Sequence, residues 1–586
     1  MSLTATIVLG GVLLLLAAVP TGVAIWSLPL AAGVLATSHC LMALFRARAA
    51  SDPTATRLPR TAAFVYLAVL GFFILVLVPL PLAASRLTGS ARFAQNSLVA
   101  DALHEAEELE LMRSPAPTFA TTRNRMRMVP ALFRVVAMFS AAGIASHQGP
   151  TGRRLYLVFL LILGALIGVA GTLSLRRFPQ GDTLWWRFAV PWAPPGPVAC
   201  FVNRNHFAAF LAMLCPASLA LLADSVTRRR LLPAIIALLS FAALAAGVAC
   251  TMSRGGALAL CAAMAATAGL FMLQGKWGLA AVLGSLVLAA AVGAFAVAGP
   301  EFSERMATLR DIRNTDSYQT RTAAWRDSVS IWAAYPILGA GPNAFRTVYP
   351  QHRTTTQGAF MKHPENQYVQ VLAETGLIGV GLVLAACFVI GRHAAVPALR
   401  LSRGGGTATV VAALGGAATA AVTACYDFAL HMPLYAVALA SLVGLLFPSR
   451  SRSRAPSQER AAALCGLVLC AILMVYCGGR VTGDIDMGGE PGSMSKRARA
   501  LVDAPTSWRA WFHFGRQASL ARTRPASLLA ERCLSQAGAY DRNNYRLWEQ
   551  IGRHRLALGL NDRARDAFDR VRELRDWVWI PPIPEE

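Results

Sequence analysis

The sequence has little charge and almost no lysine. Charged residues make up 15% of its 586 positions and hydrophobic residues 55%, whereas soluble domains carry about 25% charged residues. Only three of the 55 basic residues are lysine, and the arginines are spread along loops and tail without an aromatic-interleaved patch. The net charge of +24 therefore does not indicate nucleic-acid binding. The composition predicts an integral membrane protein with polar segments attached.

The sequence also lacks the cysteine patterns of a disulfide framework or a zinc site. It has 11 cysteines, but no C-x-x-C and no Cys/His set with zinc spacing. Most of them lie within apolar stretches, where cysteine acts as a small apolar residue. We expect no disulfide framework, no metal and no cofactor.

Long apolar runs dominate what is present. A helix needs about 20 apolar residues to span the hydrocarbon, and thirteen candidate spans meet or approach this length. The first, 3–19, lacks a basic start and is followed at once by the second, so we interpret it as a span and not as a cleaved signal. The spans lie near 3–19, 22–44, 62–84, 129–146, 155–175, 206–223, 231–250, 255–273, 277–298, 368–391, 407–425, 433–447 and 460–478.

The short loops indicate the orientation. With the N-terminus inside, all six inner loops are basic, and the short outer connections nearly lack Lys and Arg, with Arg254 as the exception. Because basic loops favour the cytoplasm, the polar inserts 85–128 and 299–366, a Trp/Pro-rich loop at 176–205 and the tail from 479 are predicted outside. For a bacterium this means the inner membrane, with these segments facing the periplasm or exterior.

Polar side chains gather on the predicted outer side. The spans themselves are expected to carry no buried acids or bases. The outer groups are Asn203, Arg204, Asn205 and His206; Ser253 and Arg254; Arg321, Trp325 and Arg326; His363, Glu365 and Asn366; and Asp427 and His431.

The outer arginines have alternative roles. Arg254 either anchors a helix end by extending to the interface or binds a ligand, which its isolation between Ser253 and two glycines favours. Arg321 and Arg326 lie five positions apart, so on a helix they point to different faces, and one can bind ligand while the other holds the loop.

Other polar positions also have structural alternatives. Asn203 and Asn205 can cap the sixth span, and His431 can be an interface histidine with its polar atoms satisfied. Gly339 and Gly341, in "GAGPNAF", are better explained as turn glycines than as a phosphate cradle, because no strand precedes them.

His363 is the best candidate for a base. Its ordinary pKa near 6.5 allows it to accept a proton at neutral pH, Glu365 or another carboxylate can orient it, and Asn366 can hold substrate or loop. Arginine and histidine without a metal suit the transfer of a sugar from a diphosphate: arginine binds the departing phosphates and histidine activates the incoming hydroxyl. A site at the membrane edge suits a lipid-carried phosphate.

The motifs resemble the O-antigen ligase and polymerase family over about residues 200–445. They are "FVNRNHFA", "TMSRGG", "RTAAW…YPILGAGPNAF" and "HPENQYVQVLAETGLIG". The resemblance implies a metal-independent, GT-C-like membrane glycosyltransferase acting on an undecaprenyl-diphosphate-linked glycan. It also implies that Arg254 and Arg321 contact the diphosphate and that His363 is the base. The family often has a histidine directly before the asparagine of the last motif, where this chain has Glu365; the base is therefore either His363 alone or a His363–Glu365 pair.

Further site assignments remain predictions on the same basis. Arg326 and Arg204 are the weaker candidates for the diphosphate, and Asn203, Asn205, Asn366 and His431 for positioning substrate or acceptor. The acceptor is a lipid-linked repeat unit for a polymerase, lipid A-core for a ligase, or a protein hydroxyl for an oligosaccharyltransferase.

The sequence of the tail after the last span has the pattern of amphipathic helices typical of a soluble domain. Trp548, Gly552, Ala564 and Phe568 have tetratricopeptide (TPR) spacing. A looser copy from Trp511 needs an insertion near 522–525 to keep the usual period of about 34 residues. We predict domains at 1–478 and 479–586, the second a TPR-like tail that packs on the outer membrane face or on polysaccharide-assembly proteins. The alternative is a helical tail without a repeat. Such a tail modestly favours a polymerase over a ligase.

Two other classes of protein explain the sequence less well than a transferase. A transporter or lipid-linked sugar flippase places its sites near the bilayer midplane, whereas the polar groups here lie on one face. A membrane-anchored scaffold that works through the tail leaves the arginine and histidine cluster unexplained.

Overall fold

A computed structural model describes residues 2–18, 27–48, 60–112, 117–177, 198–278, 316–355, 361–402, 407–447, 457–478 and 493–575. Nearly all regular structure in these ranges is helical. The exceptions are strands Pro79–Pro81 (β1) and Thr118–Ala120 (β2), which pair antiparallel, and an isolated bridge between Val198 and Phe201. The predicted all-α membrane helix bundle is confirmed.

The helices of the first half are apolar except for α4, which lies in the polar insert 85–128. They are α1 (Ser2–Ala18), α2 (Ser27–Arg48), α3 (Arg60–Leu77), α4 (Ser90–Glu108), α5 (Arg125–Ser146), α6 (Pro150–Arg177), α7 (Arg204–Thr227), α8 (Leu231–Cys250) and α9 (Arg254–Leu273).

The second half contains the outer loop, four further apolar helices and the tail. Its helices are α10 (Asp316–Ala334), α11 (Phe345–His352), α12 (Gln367–Ile390), α13 (Val396–Ser402), α14 (Thr407–Thr423), α15 (Pro433–Gly444), α16 (Ser457–Gly478), α17 (Met494–Asp503), α18 (Trp508–Ala518), α19 (Arg524–Tyr540), α20 (Tyr545–Ala557) and α21 (Asn561–Leu574). One turn of π-helix, Gly391–Ala395, joins α12 to α13.

Seven described helices are long and apolar enough to cross a membrane, and five shorter apolar helices accompany them. Together they correspond to twelve of the thirteen predicted spans. The remaining one, 277–298, lies outside the described residues except for its first two positions.

Two predicted spans differ from the structure in length. The third was expected to reach 84, but α3 ends at Leu77 because Pro79 and Pro81 lack the backbone N–H that a helix needs. The twelfth is only the 12-residue helix α15, which at 1.5 Å per residue measures about 18 Å against a hydrocarbon core of about 30 Å. Since α15 is almost entirely buried, it is a core helix of the bundle that is too short to cross the membrane alone.

Connections predicted on one side of the membrane contact each other. Among the predicted inner loops, Arg153 donates to the carbonyl of Phe447 at 2.9 Å, and Lys276 donates to the Thr407 hydroxyl at 2.8 Å. The predicted outer segments likewise meet, as described below. The alternation of the loops between two sides is consistent with these contacts, and the assignment of one side to the periplasm stays a prediction.

The tenth span is interrupted at Gly376. This glycine has φ 59° and ψ −161°, a region essentially reserved for glycine, and an added Cβ would lie 2.4 Å from the carbonyl oxygen of Ile337. The segment joining α10 to α11 bonds to the helix at this break: Leu377 N–H donates to Pro336 O at 3.0 Å, and Gly341 N–H donates to Glu374 O at 2.8 Å. The outer loop is thus fixed to a membrane helix through backbone hydrogen bonds.

Gly339 and Gly341 are turn glycines in that joining segment. Their φ values are +66° and +109°, and a Cβ on them would lie 2.2 Å from the backbone of Glu374 and 2.0 Å from the Thr122 hydroxyl. The turn interpretation is confirmed, and the close approach explains why no larger residue fits.

The 85–128 insert, for which the sequence suggested no role, packs against the tail. Its helix α4 and strand β2 share one apolar core with α17 to α20, formed by residues such as Val99, Leu103, Phe119, Trp511 and Leu534. Glu105 of the insert forms an ion pair with Arg532 of the tail. The tail therefore covers an apolar face of its own chain.

The tail is a series of packed helix pairs. Gly515 of α18 lies against Cys533 of α19, and Gly552 of α20 lies against the Phe568 ring of α21. This agrees with small residues at the crossings of a helical repeat, while the TPR assignment itself stays a prediction.

Candidate active site

Three helix N-termini gather at one site on the predicted outer side. The Asn203 side chain caps α7 by accepting from Asn205 N–H at 2.8 Å, Ser253 caps α9 at 3.0 Å through Gly256 N–H, and Asn366 caps α12. Capping was one of the two roles considered for Asn203. Because helix N-termini carry partial positive charge, a site built from three of them favours anions.

Side-chain bonds hold these N-termini together. The Ser253 hydroxyl donates to Asn205 Oδ1 at 2.8 Å, joining the starts of α7 and α9. The Tyr426 hydroxyl donates to Gly255 O at 2.8 Å, and Gln367 N–H at the start of α12 donates to Ala424 O at 2.8 Å. The turn after α14 therefore fixes the starts of α9 and α12 relative to each other.

Asp427 and His206 anchor this turn from the other side. The Asp427 Oδ1 to His206 Nε2 distance is 3.0 Å, and the two side chains are 7% and 3% exposed. The next residue, Phe428, lies edge-on to His206 with ring centroids 4.5 Å apart.

His363 is packed against this turn. Its ring stacks on Phe428 with centroids 4.2 Å apart and lies 4.4 Å from the ring of His431. Burial, reinforced by the positive charge of Arg134, lowers the pKa of His363 to about 3, although its hydrogen bond with Gln370 acts in the opposite direction. His363 is therefore neutral at physiological pH, as a proton acceptor must be.

Gln370, which sequence reasoning missed, is the group that orients His363. Its Oε1 and Nε2 lie 3.2 and 3.0 Å from His363 Nδ1. Its Nε2 also donates to Glu374 Oε1 at 3.1 Å and lies 3.3 Å from His431 Nε2. The sequence also suggested Glu365 as the partner of His363. Within the described ranges no hydrogen bond joins the two, and Gln370 is the partner of His363 Nδ1.

The expectation that the spans carry no buried acids or bases is wrong. Glu374 lies inside α12 with 6% exposure, where its carboxylate accepts N–H bonds from Asn343 at 2.8 Å and Phe345 at 3.0 Å. Arg134 lies inside α5, with its Nε buried. The signal was visible as Gln370 and Glu374 at i, i+4 spacing in an apolar run, a combination that is costly in lipid unless satisfied by partners.

Glu365 pairs with Arg321 instead. Arg321 Nη2 lies 2.5 Å from Glu365 Oε2, and both side chains are partly exposed. Burial raises the pKa of Glu365 while Arg321 opposes that shift. The backbone of Glu365 has φ +52°, and the adjacent Pro364 carbonyl accepts from the Trp325 indole N–H at 2.8 Å. Helix α10 thus holds the segment that follows His363.

The remaining predicted arginines differ in exposure. Arg254 begins α9, and its Nη1 is buried without a hydrogen-bond partner among the described residues. Since an unpaired buried donor is costly, an anion that accepts from this guanidinium is favoured. Arg326 and Arg204 are exposed, whereas Arg321 is partly exposed beside Glu365.

His431 and Asn366 have structural partners already. His431 is 9% exposed beside Gln370, and burial, with Arg134 adding to it, lowers its pKa well below the ordinary value. The Asn366 Oδ1 accepts from Tyr368 and Val369 N–H. The roles predicted for both in positioning substrate or acceptor stay predictions.

The fold and this site define a polytopic helical membrane protein with a polar, anion-favouring site at the ends of its spans. Residues 239–384, about a quarter of the chain, match the family described as O-antigen ligase. The matched region includes Arg254, Arg321 and His363, whereas Asn203 and His431 lie outside it. No curated protein matches the chain. The family indicates a membrane enzyme that transfers glycans in polysaccharide assembly.

Proposed function

We propose that this protein transfers a glycan from undecaprenyl diphosphate to an acceptor hydroxyl, with inversion, on the outer face of a bacterial inner membrane. The observation that supports this most directly is the arrangement of a neutral histidine and two arginines at gathered helix N-termini. His363 has its Nδ1 occupied by Gln370 and no hydrogen bond at Nε2 within the described ranges. Nε2 is the atom available to accept a proton.

Gln370 can select the tautomer that makes His363 a base. When Nδ1–H donates to Gln370 Oε1, the lone pair resides on Nε2. The amide then donates its two hydrogens to Glu374 Oε1 and His431 Nε2. Its 3.0 Å contact with Nδ1 carries no hydrogen bond in this arrangement, since Nδ1–H is directed to Oε1. The opposite tautomer would leave a proton on Nε2 and no lone pair to accept one.

The transfer then follows from the charges. His363 Nε2 accepts the proton of the acceptor hydroxyl, and the oxygen attacks the anomeric carbon from the face opposite the diphosphate. The bond between that carbon and the diphosphate oxygen breaks, and its electron pair leaves with the diphosphate. Arg254 and Arg321 stabilise the departing anion, and its negative charge raises the pKa of His363 as the proton arrives.

The buried polar groups of the spans support this transferase and do not favour a transporter. Gln370 bonds directly to His363, and Glu374 bonds to backbone N–H groups of the outer loop. These groups therefore belong to the site at the ends of the spans, and no path across the bilayer is needed to explain them.

Substitution of the central residues tests the proposal. We expect His363→Ala and Arg254→Ala each to reduce transfer at least about 100-fold, measured with purified protein and an undecaprenyl-diphosphate glycan. Both variants should insert normally, as shown by equal amounts in the membrane fraction. Wild-type product levels in both variants would reject the mechanism, and a purified wild-type protein that turns over no lipid-diphosphate glycan would reject the function.

The acceptor is determined by a separate experiment in the native host. We would replace His363 by alanine and resolve the surface glycans by size on a gel. Single repeats still attached to their final carrier identify a polymerase, whereas full-length chains left on the lipid carrier identify a ligase. Glycan missing from protein Ser or Thr identifies an oligosaccharyltransferase. The tail does not favour a polymerase over the other two enzymes. Its apolar face packs against α4 and β2 of its own chain and is not free for an assembly partner.

A further inference from the structure

The tail makes a second contact with the chain, close to the loop that contains His363. Arg353, directly after α11, forms an ion pair with Asp541 at the end of α19: Nη2 and Oδ1 are 3.1 Å apart, and the side chains are 10% and 2% exposed. A buried ion pair with one partner removed leaves an uncompensated charge, so each member depends strongly on the other.

Asn543 adds two bonds to the same segment. Its amide nitrogen donates to the carbonyls of Arg353 at 3.2 Å and Thr355 at 3.4 Å. Asn544 donates to Asp541 Oδ2 at 3.0 Å, which fixes the carboxylate. The turn between α19 and α20 therefore binds both the side chain of Arg353 and the backbone of segment 353–355.

Segment 353–355 is also hydrogen-bonded to α10. Thr354 donates to the Asp327 carboxylate from its N–H at 3.2 Å and from its hydroxyl at 2.9 Å. Within the two turns before Asp327, the same helix holds Glu365 through Arg321 and Pro364 through Trp325. Tail, segment 353–355, α10 and the residues flanking His363 thus form one chain of direct contacts.

We propose that Asp541 and Asn543 are positioning residues of the transferase: the tail fixes segment 353–355 and α10, and through them the loop that places His363 against Gln370 and Phe428. This proposal rests on the proposed function for its activity readout. It gives the tail a role within the molecule, whereas the sequence suggested docking on the membrane or on partners.

The test uses the full-length protein in lipid nanodiscs. Asp541→Asn removes the charge at nearly constant volume, Asn543→Ala removes only the amide bonds, and Asp541→Glu keeps the charge. The control is Glu549→Gln on α20, which removes a surface pair with Arg553 at 2.9 Å. Backbone hydrogen exchange is measured over 345–355, and kcat and KM for the glycan donor are measured in parallel.

We expect Asp541→Asn to speed exchange over 345–355 and to lower kcat, each roughly tenfold or more. KM for the donor should change less than kcat, because only Arg321 of the two diphosphate arginines lies on α10 and Arg254 is not displaced. Asn543→Ala should act in the same direction with a smaller effect, Asp541→Glu should recover part of both, and Glu549→Gln should match wild type. If Asp541→Asn does not fold, Asn543→Ala alone decides the result.

Two outcomes would overturn the proposal. Wild-type exchange in Asp541→Asn and Asn543→Ala would show that the tail does not fix the segment. Faster exchange with unchanged kcat would show that fixing it does not matter for the reaction. If the wild-type protein transfers no glycan, the proposed function fails separately, and the exchange data still test the contact.

Discussion

His363 combines a low pKa with a single occupied ring nitrogen. The same burial that keeps the ring neutral also removes it from water, so its orientation depends on one amide, Gln370. The sequence identified His363 as the candidate base because it is a titratable group at the mouth of a span. It did not identify Gln370 or Glu374, because their significance comes from contacts made only when α12 meets the outer loop and the turn after α14.

The first prediction concerns the pH dependence of kcat/KM, which reports the free enzyme. A histidine with the ordinary pKa of 6.5 would lose about fourfold in its neutral fraction between pH 8 and pH 6. Since burial lowers the pKa of His363 to about 3, we expect no such loss in this range. A limb with its midpoint near 6.5 would contradict the prediction.

The same shift has a defined effect on stability. The folded pKa of His363 lies below its unfolded value, so the unfolded chain binds more protons between about pH 6.5 and about pH 3. The contribution of this residue to stability is complete above about pH 6.5 and is lost as the pH falls through that window.

The second prediction concerns Gln370→Leu, which removes the amide at similar volume. We expect kcat to fall roughly 10- to 100-fold because His363 loses its tautomer and orientation, with KM nearly unchanged. Steady-state kinetics in the His363→Ala background give the decisive comparison. If Gln370 acts through His363, the second substitution should have little further effect there, whereas additive losses would assign Gln370 another role.

At the scale of elements, the sequence predicted the apolar helices well and the break in α12 not at all. Long apolar runs define spans because every backbone group in lipid needs an internal partner. A single glycine inside such a run, as at Gly376, is compatible with an unbroken helix. The break forms because the segment after α10 supplies replacement hydrogen bonds, and that docking is a tertiary event without a local sequence signal.

The third prediction tests this break with a matched pair in one helix. Gly376→Ala places a Cβ 2.4 Å from a carbonyl oxygen at a backbone conformation reserved for glycine, whereas Gly381→Ala meets nothing within 4 Å. We expect the first to lower the free energy of unfolding by about 1–3 kcal/mol and the second to be neutral or slightly stabilising. Thermal unfolding in detergent measures both, and equal melting temperatures would show that the break is not required.

At the scale of the whole molecule, the insert connects the tail to the candidate active site. Arg92 is almost completely buried, donates from Nε to Thr121 O at 3.0 Å and also donates to the carbonyl of Gly339. The insert is therefore bonded to the turn that docks at Gly376 while its apolar face receives the tail. The sequence of α4 did not reveal this, because its large apolar residues are few and their partners in the tail are several hundred residues away.

The fourth prediction concerns that apolar face. Leu103 is 2% exposed in the shared core, whereas Leu98 on the same helix is 42% exposed. Leu103→Asp buries an unpaired carboxylate and should cost several kcal/mol, which releases the tail, while Leu98→Asp should change little. Protease cleavage of membrane-inserted protein provides the readout: faster removal of the tail only in Leu103→Asp is expected, and equal cleavage in both variants would contradict the packing.

The ion pair between Glu105 and Arg532 joins residues 427 positions apart, and this separation has a consequence for biosynthesis. At roughly 5–20 residues per second, α4 leaves the ribosome some twenty seconds to more than a minute before the helices that cover it. During that interval the part of its apolar face that the tail covers is without that partner, and only neighbouring residues of the insert such as Phe119 pack against α4. A helix that follows α4 by several hundred residues thus completes the packing of its apolar face, so the candidate active site gains the support of the tail only after that tail has been synthesised.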